Sequence, residues 1–397
     1  MMPEAIASKR VRTIGAVTVS RSDYGIYVPV LRGIQQELAL RLELFVSGMH
    51  LSSAFGLTVR EIEADGFPIV ERVQMLDASD EPAAIARSIA TGIAAFADVF
   101  ARRRPDVLMV LGDRFEMYAA VVAALPFHIP IAHLHGGEST GGLIDEAIRH
   151  SITKMSHLHF VSLERYAQRI VQMGEEPWRV IRTGAPSLDH LRSVTWLSDG
   201  DIRARFGLDV SRPFLLVTYH PVTLQYEHTE AHMRELLAAL ADVNQRVIWT
   251  YPNADTHGQR VIELIKAFAQ DRPSVQVAVN LGTEGYFNLM RRAAAMVGNS
   301  SSGIIEAASF KLPVVNVGDR QRGRFHDEHV IDVPCDREEI AAAIRRAISA
   351  EFRGQLNELV NSYGDGHAAE RIVGVLKDVP LDSRLLMKAF YEPLVPV

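Results

Sequence analysis

Short apolar runs alternate with amphipathic stretches along the whole chain. The apolar runs predict strands at 13–19, 42–46, 106–111, 129–134, 159–162 and 180–183 in the first half, and at 214–218, 247–250, 293–297 and 313–317 in the second. Apolar residues at helical spacing predict helices at 81–104, 115–125, 144–155 and 230–242, with further helical stretches ending near Glu37 and Phe310. Such alternation is typical of parallel sheets with helices on both faces, so we predict the α/β class.

A polar, turn-rich stretch at 187–212 interrupts this alternation and predicts a domain boundary. We place one Rossmann-like domain at 1–190 and a second at 191–380. The final segment, 381–397, is apolar, and we expect it to pack back on the first domain. A chain of 397 residues is long enough for two such domains.

Polar residues gather directly after the apolar runs in both halves. In open α/β sheets, ligands bind at the carboxyl ends of the strands. Each domain therefore carries one candidate binding edge, and we expect the two parallel sheets to face each other across a cleft.

Several of these polar residues are suited to anions. The turn 299–303, Asn-Ser-Ser-Ser-Gly, follows a strand and opens a helix, so its free N–H groups and hydroxyls suit a diphosphate, although serines also favour ordinary helix caps. Arg21, Arg114 and Arg320 each follow a strand and either hold phosphate or form surface ion pairs. His220 is either a phosphate donor or proton carrier, or a hydrogen-bonded loop residue.

The carboxylates of the first domain suggest proton-transfer chemistry. Asp113, Glu138 and Asp145 come from strand-end loops or helix starts, and grouped carboxylates with separated pKa values provide one acid and one base. Asp145 and Arg149 are four residues apart on one helix face, so an ion pair between them is the simpler alternative. The spacing of His133, His135 and Glu138 would also suit a metal, but packing explains it equally well, and we predict neither a metal nor a cofactor.

Composition narrows the function classes. The formal net charge of −6 leaves no basic excess for nucleic-acid binding. Cys335 is the single cysteine, which excludes an internal disulfide and a cysteine-based metal cluster. The N-terminus lacks the apolar core of a signal peptide, and no run approaches the roughly 18 apolar residues of a membrane span. We therefore expect a cytoplasmic protein.

Eight segments of the chain together resemble one known family. The chain resembles the hydrolysing UDP-N-acetylglucosamine 2-epimerases of bacterial sialic-acid biosynthesis, within the 2-epimerase family of the GT-B fold. The matching segments, in order, are SRSDYG (20–25), SGMHLSSAFG (47–56), LGDRFE (111–116), HLHGGE (133–138), IDEAIRHSITKMSHLHF (144–160), YHPVT (219–223), GNSSSGIIEA (298–307) and GDRQRGR (318–324). They span nearly the whole chain.

The resemblance implies two Rossmann-like domains, UDP bound mainly by the second and the sugar facing the first. It implies that UDP-N-acetylglucosamine and water become N-acetylmannosamine and UDP through a glycal-type intermediate. The implied UDP and substrate contacts are Arg21, Arg114, His220, Asn253, Tyr286, Ser300, Ser301, Glu306 and Arg320. The implied catalytic set is Asp113, Glu138, Asp145, Arg149, His135 and His220. Some relatives carry a glutamate at the place of His135, so either His135 or Glu138 takes that role here.

Other interpretations stay open on the sequence. A UDP-2,4-diacetamido-2,4,6-trideoxy sugar, of the legionaminic type, is an alternative substrate because a few pocket atoms decide between the two. A non-hydrolysing 2-epimerase, a GT-B glycosyltransferase and a non-catalytic nucleotide-sugar sensor are further alternatives. The resemblance also implies a homodimer or homotetramer.

Overall fold

The computed structural model describes residues 10–392 apart from 78, 80, 140–143, 221–227, 252–257 and 279–280. The chain divides into two compact units. Unit 1 combines the chain up to Glu138 with Ile144–Asp189 and the segment from Gly364 onward, and unit 2 is built on His190–Tyr363. We describe each unit separately.

Unit 1 contains a seven-stranded parallel sheet in the order β3-β2-β1-β4-β5-β6-β7. Its strands are β1 Arg12–Thr18, β2 Leu40–Ser47, β3 Ile69–Val73, β4 Val107–Leu111, β5 Ile131–Leu134, β6 Leu158–Val161 and β7 Val180–Arg182. Its helices are α1 Arg21–Gln36, α2 Val59–Ala64, α3 Pro82–Arg102, α4 Phe115–Ala124, α5 Ile144–Met155 and α6 Glu164–Gln172. The central strands are buried on both faces, which explains why they read as continuous apolar runs.

Unit 2 contains a six-stranded parallel sheet in the order β10-β9-β8-β11-β12-β13. Its strands are β8 Leu215–Thr218, β9 Val247–Thr250, β10 Val275–Ala278, β11 Ala295–Gly298, β12 Val314–Val317 and β13 Val330–Val333. Its helices are α7 Asp199–Phe206, α8 Thr229–Val243, α9 Gly258–Gln270, α10 Gly282–Met290, α11 Ser301–Ile305, α12 Arg337–Ala347 and α13 Ala350–Gln355. The predicted α/β class with parallel sheets is confirmed in both units.

The chain returns to unit 1 earlier than the sequence analysis expected. Helices α14, Ala368–Asp378, and α15, Ser383–Leu386, both belong to unit 1, so assigning residues up to 380 to the second domain was wrong. Ile372 and Leu376 of α14 are fully buried in the unit 1 core, where α14 packs against α1. Burial of this apolar stripe determines the assignment, and chain order alone does not reveal it.

Helix α3 has one property that the sequence analysis did not flag. It is long and apolar enough, by length and composition, to cross a membrane. Its buried positions include Phe96, Val99 and Phe100, and it packs against α4 in the unit 1 core. A stripe of this kind is typical of an amphipathic helix on a sheet, so α3 serves as a core helix.

Candidate functional site

In each sheet the strand order reverses at one point, between β1 and β4 in unit 1 and between β8 and β11 in unit 2. Ligands of open α/β sheets bind beyond the carboxyl ends of the strands at such reversal points. Most of the predicted site residues that the structure describes lie in loops or helices that follow these strands or their neighbours.

The loop after β1 is ordered by Asp23. Its carboxylate accepts hydrogen bonds from the N–H groups of Val19 (3.0 Å) and Ser20 (2.6 Å) and from the Thr18 hydroxyl (2.7 Å). Because α1 begins immediately afterwards, Arg21 is its first residue, and its side chain is exposed. An exposed cation at this position is available to an anion.

The loop after β4 presents Asp113 and Arg114. Arg114 donates to both oxygens of the buried Glu116, at 2.9 and 3.1 Å, and to the Met49 sulfur at 3.2 Å. Burial opposes the charged form of Arg114, but the attraction of Glu116 outweighs it and raises its pKa. Arg114 is therefore a fixed cation. The sequence analysis did not single out Glu116, and its only signal was a carboxylate two residues after an arginine.

The loop after β5 holds an unusual histidine. His135 has a φ of 61°, in the left-handed region that residues with a Cβ rarely adopt. Such strain is found mainly where function requires it. Its Nδ1–H donates to Glu138 at 2.6 Å, and both side chains are buried. The other ring nitrogen, Nε2, is buried and has no hydrogen-bond partner among the described residues.

Arg149 of α5 joins these two loops. Its buried guanidinium forms an ion pair with Asp113 and donates to the His135 carbonyl at 3.1 Å. The nitrogen that donates to His135, Nη1, also lies 3.8 Å from a carboxylate oxygen of Glu138. Within the described residues, no ion pair joins Arg149 to Asp145, so the alternative of an ion pair between these two residues is contradicted. Arg149 pairs with Asp113 because its guanidinium lies beside the loops after β4 and β5, where it also contacts the His135 carbonyl.

Asp145 lies close enough to Asp113 to be affected by its charge, and none of the described cations forms an ion pair with Asp145. Partial burial, together with the charge of Asp113, raises the pKa of Asp145 from 3.8 to about 6, against the opposing attraction of Arg114 and Arg149. A carboxyl group that titrates near 6 can exchange a proton at physiological pH. The cluster therefore contains the ion-paired carboxylate of Asp113 and the neighbouring carboxyl group of Asp145, whose pKa is raised.

His133 has a structural role. It is fully buried, its Nε2–H donates to the Gly112 carbonyl at 2.8 Å, and the Thr153 hydroxyl donates to its Nδ1 at 3.2 Å. Burial lowers its pKa to about 3, so it is neutral. Among the described residues, no group of three His, Cys, Asp or Glu side chains is placed to hold a metal ion.

In unit 2, hydrogen bonds of Asn299 join the loops that follow β8, β11 and β12. Its side chain exchanges two hydrogen bonds with the backbone of His220, at 2.7 and 2.8 Å, and its carbonyl accepts from Arg320 at 2.9 Å. Gly298 has a φ of 132°, and a Cβ there would overlap the Thr218 carbonyl oxygen. The close approach of β8 and β11 therefore requires glycine at 298.

The serine turn opens α11. Ser300 is the N-cap, and its hydroxyl accepts from the Ser302 N–H at 3.3 Å. Ser301 begins the helix, and the buried Glu306 follows it. The helix ends at Ile305, followed by a 3-10 turn to Phe310, so it is shorter than the sequence pattern suggested. Both the cap and the anion interpretation are compatible with this geometry.

The remaining predicted contacts differ in what the structure shows. The Tyr286 hydroxyl lies 3.0 Å from the Thr218 hydroxyl, and burial raises the pKa of Tyr286 to about 12. Burial, helped by Arg320, lowers the pKa of His220 to about 3, which favours a neutral hydrogen-bond donor over a proton carrier. Asn253 lies outside the described residues.

Chemically, the two units offer different groups. Unit 1 provides carboxylates, a buried histidine and fixed arginines, which suit proton transfer next to a developing negative charge. Unit 2 provides hydroxyls, backbone N–H groups and Arg320, which suit a phosphate-containing ligand.

Comparisons with known proteins identify the family of the chain. A UDP-N,N′-diacetylbacillosamine 2-epimerase (hydrolysing) of Legionella pneumophila is 38% identical over 95% of this chain and 99% of its own length. A GDP/UDP-N,N′-diacetylbacillosamine 2-epimerase (hydrolysing) of Campylobacter jejuni is 37% identical over 96% of this chain and 99% of its own. A solved structure of UDP-GlcNAc 2-epimerase from Neisseria meningitidis, bound to UDP-GlcNAc, has a TM-score of 0.78 and 18% identity over 92% of this chain and 99% of its own. The family model for UDP-N-acetylglucosamine 2-epimerase matches residues 32–377, and the chain therefore belongs to that family.

Proposed function

We propose that this protein is a hydrolysing 2-epimerase that acts on a UDP-linked 2,4-diacetamido-2,4,6-trideoxy sugar. The two relatives at 38% and 37% identity are named for UDP-N,N′-diacetylbacillosamine, which is a sugar of this class. The resemblance seen in the sequence put UDP-N-acetylglucosamine first. The relatives support the diacetamido substrate better, so UDP-N-acetylglucosamine becomes the second candidate, supported by the ligand of the Neisseria meningitidis structure.

The observation that carries this proposal is the cluster of Asp113, Arg149 and Asp145. Epimerisation at C2 requires a group that removes a proton and a group that returns one to the opposite face. Asp145, with a pKa of about 6, is suited to exchange that proton near neutral pH. Asp113, held by Arg149, stands beside it as the second carboxyl group.

The proposed reaction has two halves. In the first, a base takes the C2 proton while the C1–O bond to UDP breaks, which leaves a C1=C2 double bond. In the second, the oxygen of water adds at C1 and a proton is delivered to C2 from the opposite face. Substrate and water thus become UDP and the free 2-epimer.

His135 and Glu138 are the further proton-transfer candidates. The Nδ1–H bond to Glu138 leaves Nε2 as the other nitrogen of the His135 ring, and this atom is buried with no partner in the part of the chain that the structure describes. We assign to this pair the role that a glutamate has in some relatives, because the hydrogen bond to Glu138 fixes the orientation of the His135 ring.

For the leaving group we propose the residues of unit 2. Ser300, Ser301, Arg320 and His220 contact the diphosphate, where hydroxyls and a guanidinium stabilise the departing charge. Tyr286, Glu306 and Asn253 contact the nucleoside. For Arg21 and Arg114 of unit 1 we propose contacts with anionic groups of the substrate.

The proposal is tested by incubating the protein with each UDP-sugar in deuterated water. We expect free UDP and a 2-epimer carrying deuterium at C2, formed faster from the diacetamido substrate. Asp113→Asn and Asp145→Asn should each lower kcat by ~10²-fold or more, a typical contribution of a proton-transfer group. Asp242→Asn is the matched control, because Asp242 pairs with Arg337 on the surface of unit 2. Wild-type kcat in both active-site variants, or binding of both UDP-sugars without turnover, would contradict the proposal.

A further inference from the structure

The last described segment of the chain is fastened to unit 1 by an unusual buried cation. We call residues 382–391 the C-terminal strap. The fully buried guanidinium of Arg179 donates to the strap carbonyls of Arg384 (2.8 Å), Leu385 (2.8 Å) and Met387 (3.2 Å). Three hydrogen bonds from one buried side chain fix the path of the strap.

The strap also places Lys388 at the C-terminal end of α5. The Lys388 ammonium donates to the carbonyls of Lys154 at 2.7 Å and Ser156 at 2.6 Å. The last carbonyls of a helix have no partners within the helix, and positive charge is favourable there. Lys388 therefore caps α5 from a position more than two hundred residues away in the sequence.

The same ammonium forms an ion pair with Glu175 at 2.7 Å. Glu175 is fully buried and also accepts from Lys154 at 2.6 Å and His159 at 3.2 Å. Burial opposes its ionisation, but the hydrogen bonds from His159, Lys154 and Lys388 outweigh this and lower its pKa to about 2. Because a buried ion cluster of this kind adds little stability over apolar packing, its main value lies in the geometry that it fixes.

The position of the C-terminal end of α5 affects the residues near its N-terminal end. The helix has twelve residues, with Asp145 in its first turn and Arg149 one turn later. An α-helix rises ~1.5 Å per residue and moves as a rigid rod, so an axial shift at Lys154 displaces Arg149 by the same amount. Misplacement of reacting groups by ~1 Å can cost about 10²-fold in rate.

We propose that the C-terminal strap is a positioning element for the active site. Lys388 and Glu175 set the axial position of α5, and thereby the ion pair of Arg149 with Asp113 and the placement of Asp145. Neither Lys388 nor Glu175 touches the substrate. This inference rests on the proposed 2-epimerase function.

The test compares Lys388→Met, Lys388→Arg and Lys377→Met. Lys388→Met should lower kcat by ~10- to 100-fold with KM within about twofold, and should speed hydrogen exchange of residues 144–155. Lys388→Arg keeps the cation and the donors and should recover most of the kcat. Lys377→Met is the control, because Lys377 forms only a surface ion pair with Glu37, at 3.0 Å, in the same unit.

Unchanged kcat and unchanged exchange in a folded Lys388→Met protein would overturn the proposal, as would equal losses in Lys388→Met and Lys377→Met. If Lys388→Met does not fold, Phe390→Ala gives the same test. The largely exposed Phe390 ring rests against Gly174 and lies 5.2 Å from the Lys154 ammonium, so removing it loosens the strap and its contact with α5. If the wild-type protein lacks 2-epimerase activity, the proposed function fails, while the exchange rates of residues 144–155 still decide whether the strap holds α5.

Discussion

Replacing Asp145 by asparagine should stabilise unit 1 while it lowers activity. The folded structure raises the pKa of Asp145 from 3.8 to about 6, first through desolvation and then through the nearby charge of Asp113. The folded state therefore holds the charged carboxylate at a cost. An uncharged side chain of the same shape removes that cost.

The magnitude follows from the pKa difference. The full pKa difference corresponds to a cost of about 3 kcal/mol for the charged carboxylate in the folded state relative to the unfolded chain. Since Asp145 is only half-buried, solvent screening reduces this to about 1–2 kcal/mol. The folded state keeps the proton to higher pH than the unfolded chain, so the cost is complete above about pH 6 and vanishes below about pH 4.

Native-state hydrogen exchange in increasing urea measures this effect. Peptides from β1 and β4 report the opening free energy of unit 1 separately from unit 2. We expect Asp145→Asn to raise the opening free energy of unit 1 at about pH 8 and to raise it clearly less at about pH 5. Asp365→Asn, in the same unit, should show the opposite sign, because the hydrogen bond from Arg371 holds the pKa of Asp365 below its usual value.

The reasoning would be refuted by a gain that is the same at both pH values, or by a loss of stability at pH 8. Either result would mean that the carboxylate of Asp145 is not held at an energetic cost. A stabilised variant that retained full kcat would leave the energetics standing but would remove Asp145 from the proposed mechanism.

Three further predictions follow from the packing. Arg149→Met leaves buried carboxylates without their cation, so unit 1 should lose about 3–5 kcal/mol in urea unfolding, with Arg149→Lys losing less. Gly298→Ala forces a Cβ into β8 and should abolish UDP binding in calorimetry, whereas Gly354→Ala, with open space around it, should bind normally. Glu116→Gln weakens the ion pair that fixes Arg114, so it should raise KM by ~10-fold in steady-state assays with little change in kcat. A lower kcat at an unchanged KM would contradict this prediction.

The sequence pattern predicted the centre of each sheet better than its edges. Strands such as β4 and β8 are buried on both faces, so they stand out as apolar runs. The strands β3, β10 and β13 were missed. They are edge strands whose sequences, IVERV, VQVA and VIDV, carry polar residues on the less buried face. Such short mixed segments resemble loops until a neighbouring strand pairs with them.

The candidate site shows a similar division. Strand-end position alone indicated Asp113 and Arg114, because parallel strands place their carboxyl ends at one edge. Arg149 was indicated by its helical spacing from Asp145 and by the family resemblance. Strand-end position did not reveal Glu116 or the strap residue Lys388, whose partners are set by burial. A buried carboxylate and a distant lysine carry no local pattern that distinguishes them from surface charges.

The sequence by itself determined the α/β class, the two Rossmann-like domains and the loops that carry polar chemistry. These features are local, since strand and helix periodicity and turn residues are encoded over short stretches. Only the tertiary structure decided that Arg149 pairs with Asp113 rather than Asp145, that Asp145 has a pKa of about 6, and that Lys388 caps α5. Electrostatic partners and proton affinities depend on which groups are buried together, and that is a property of the folded chain as a whole.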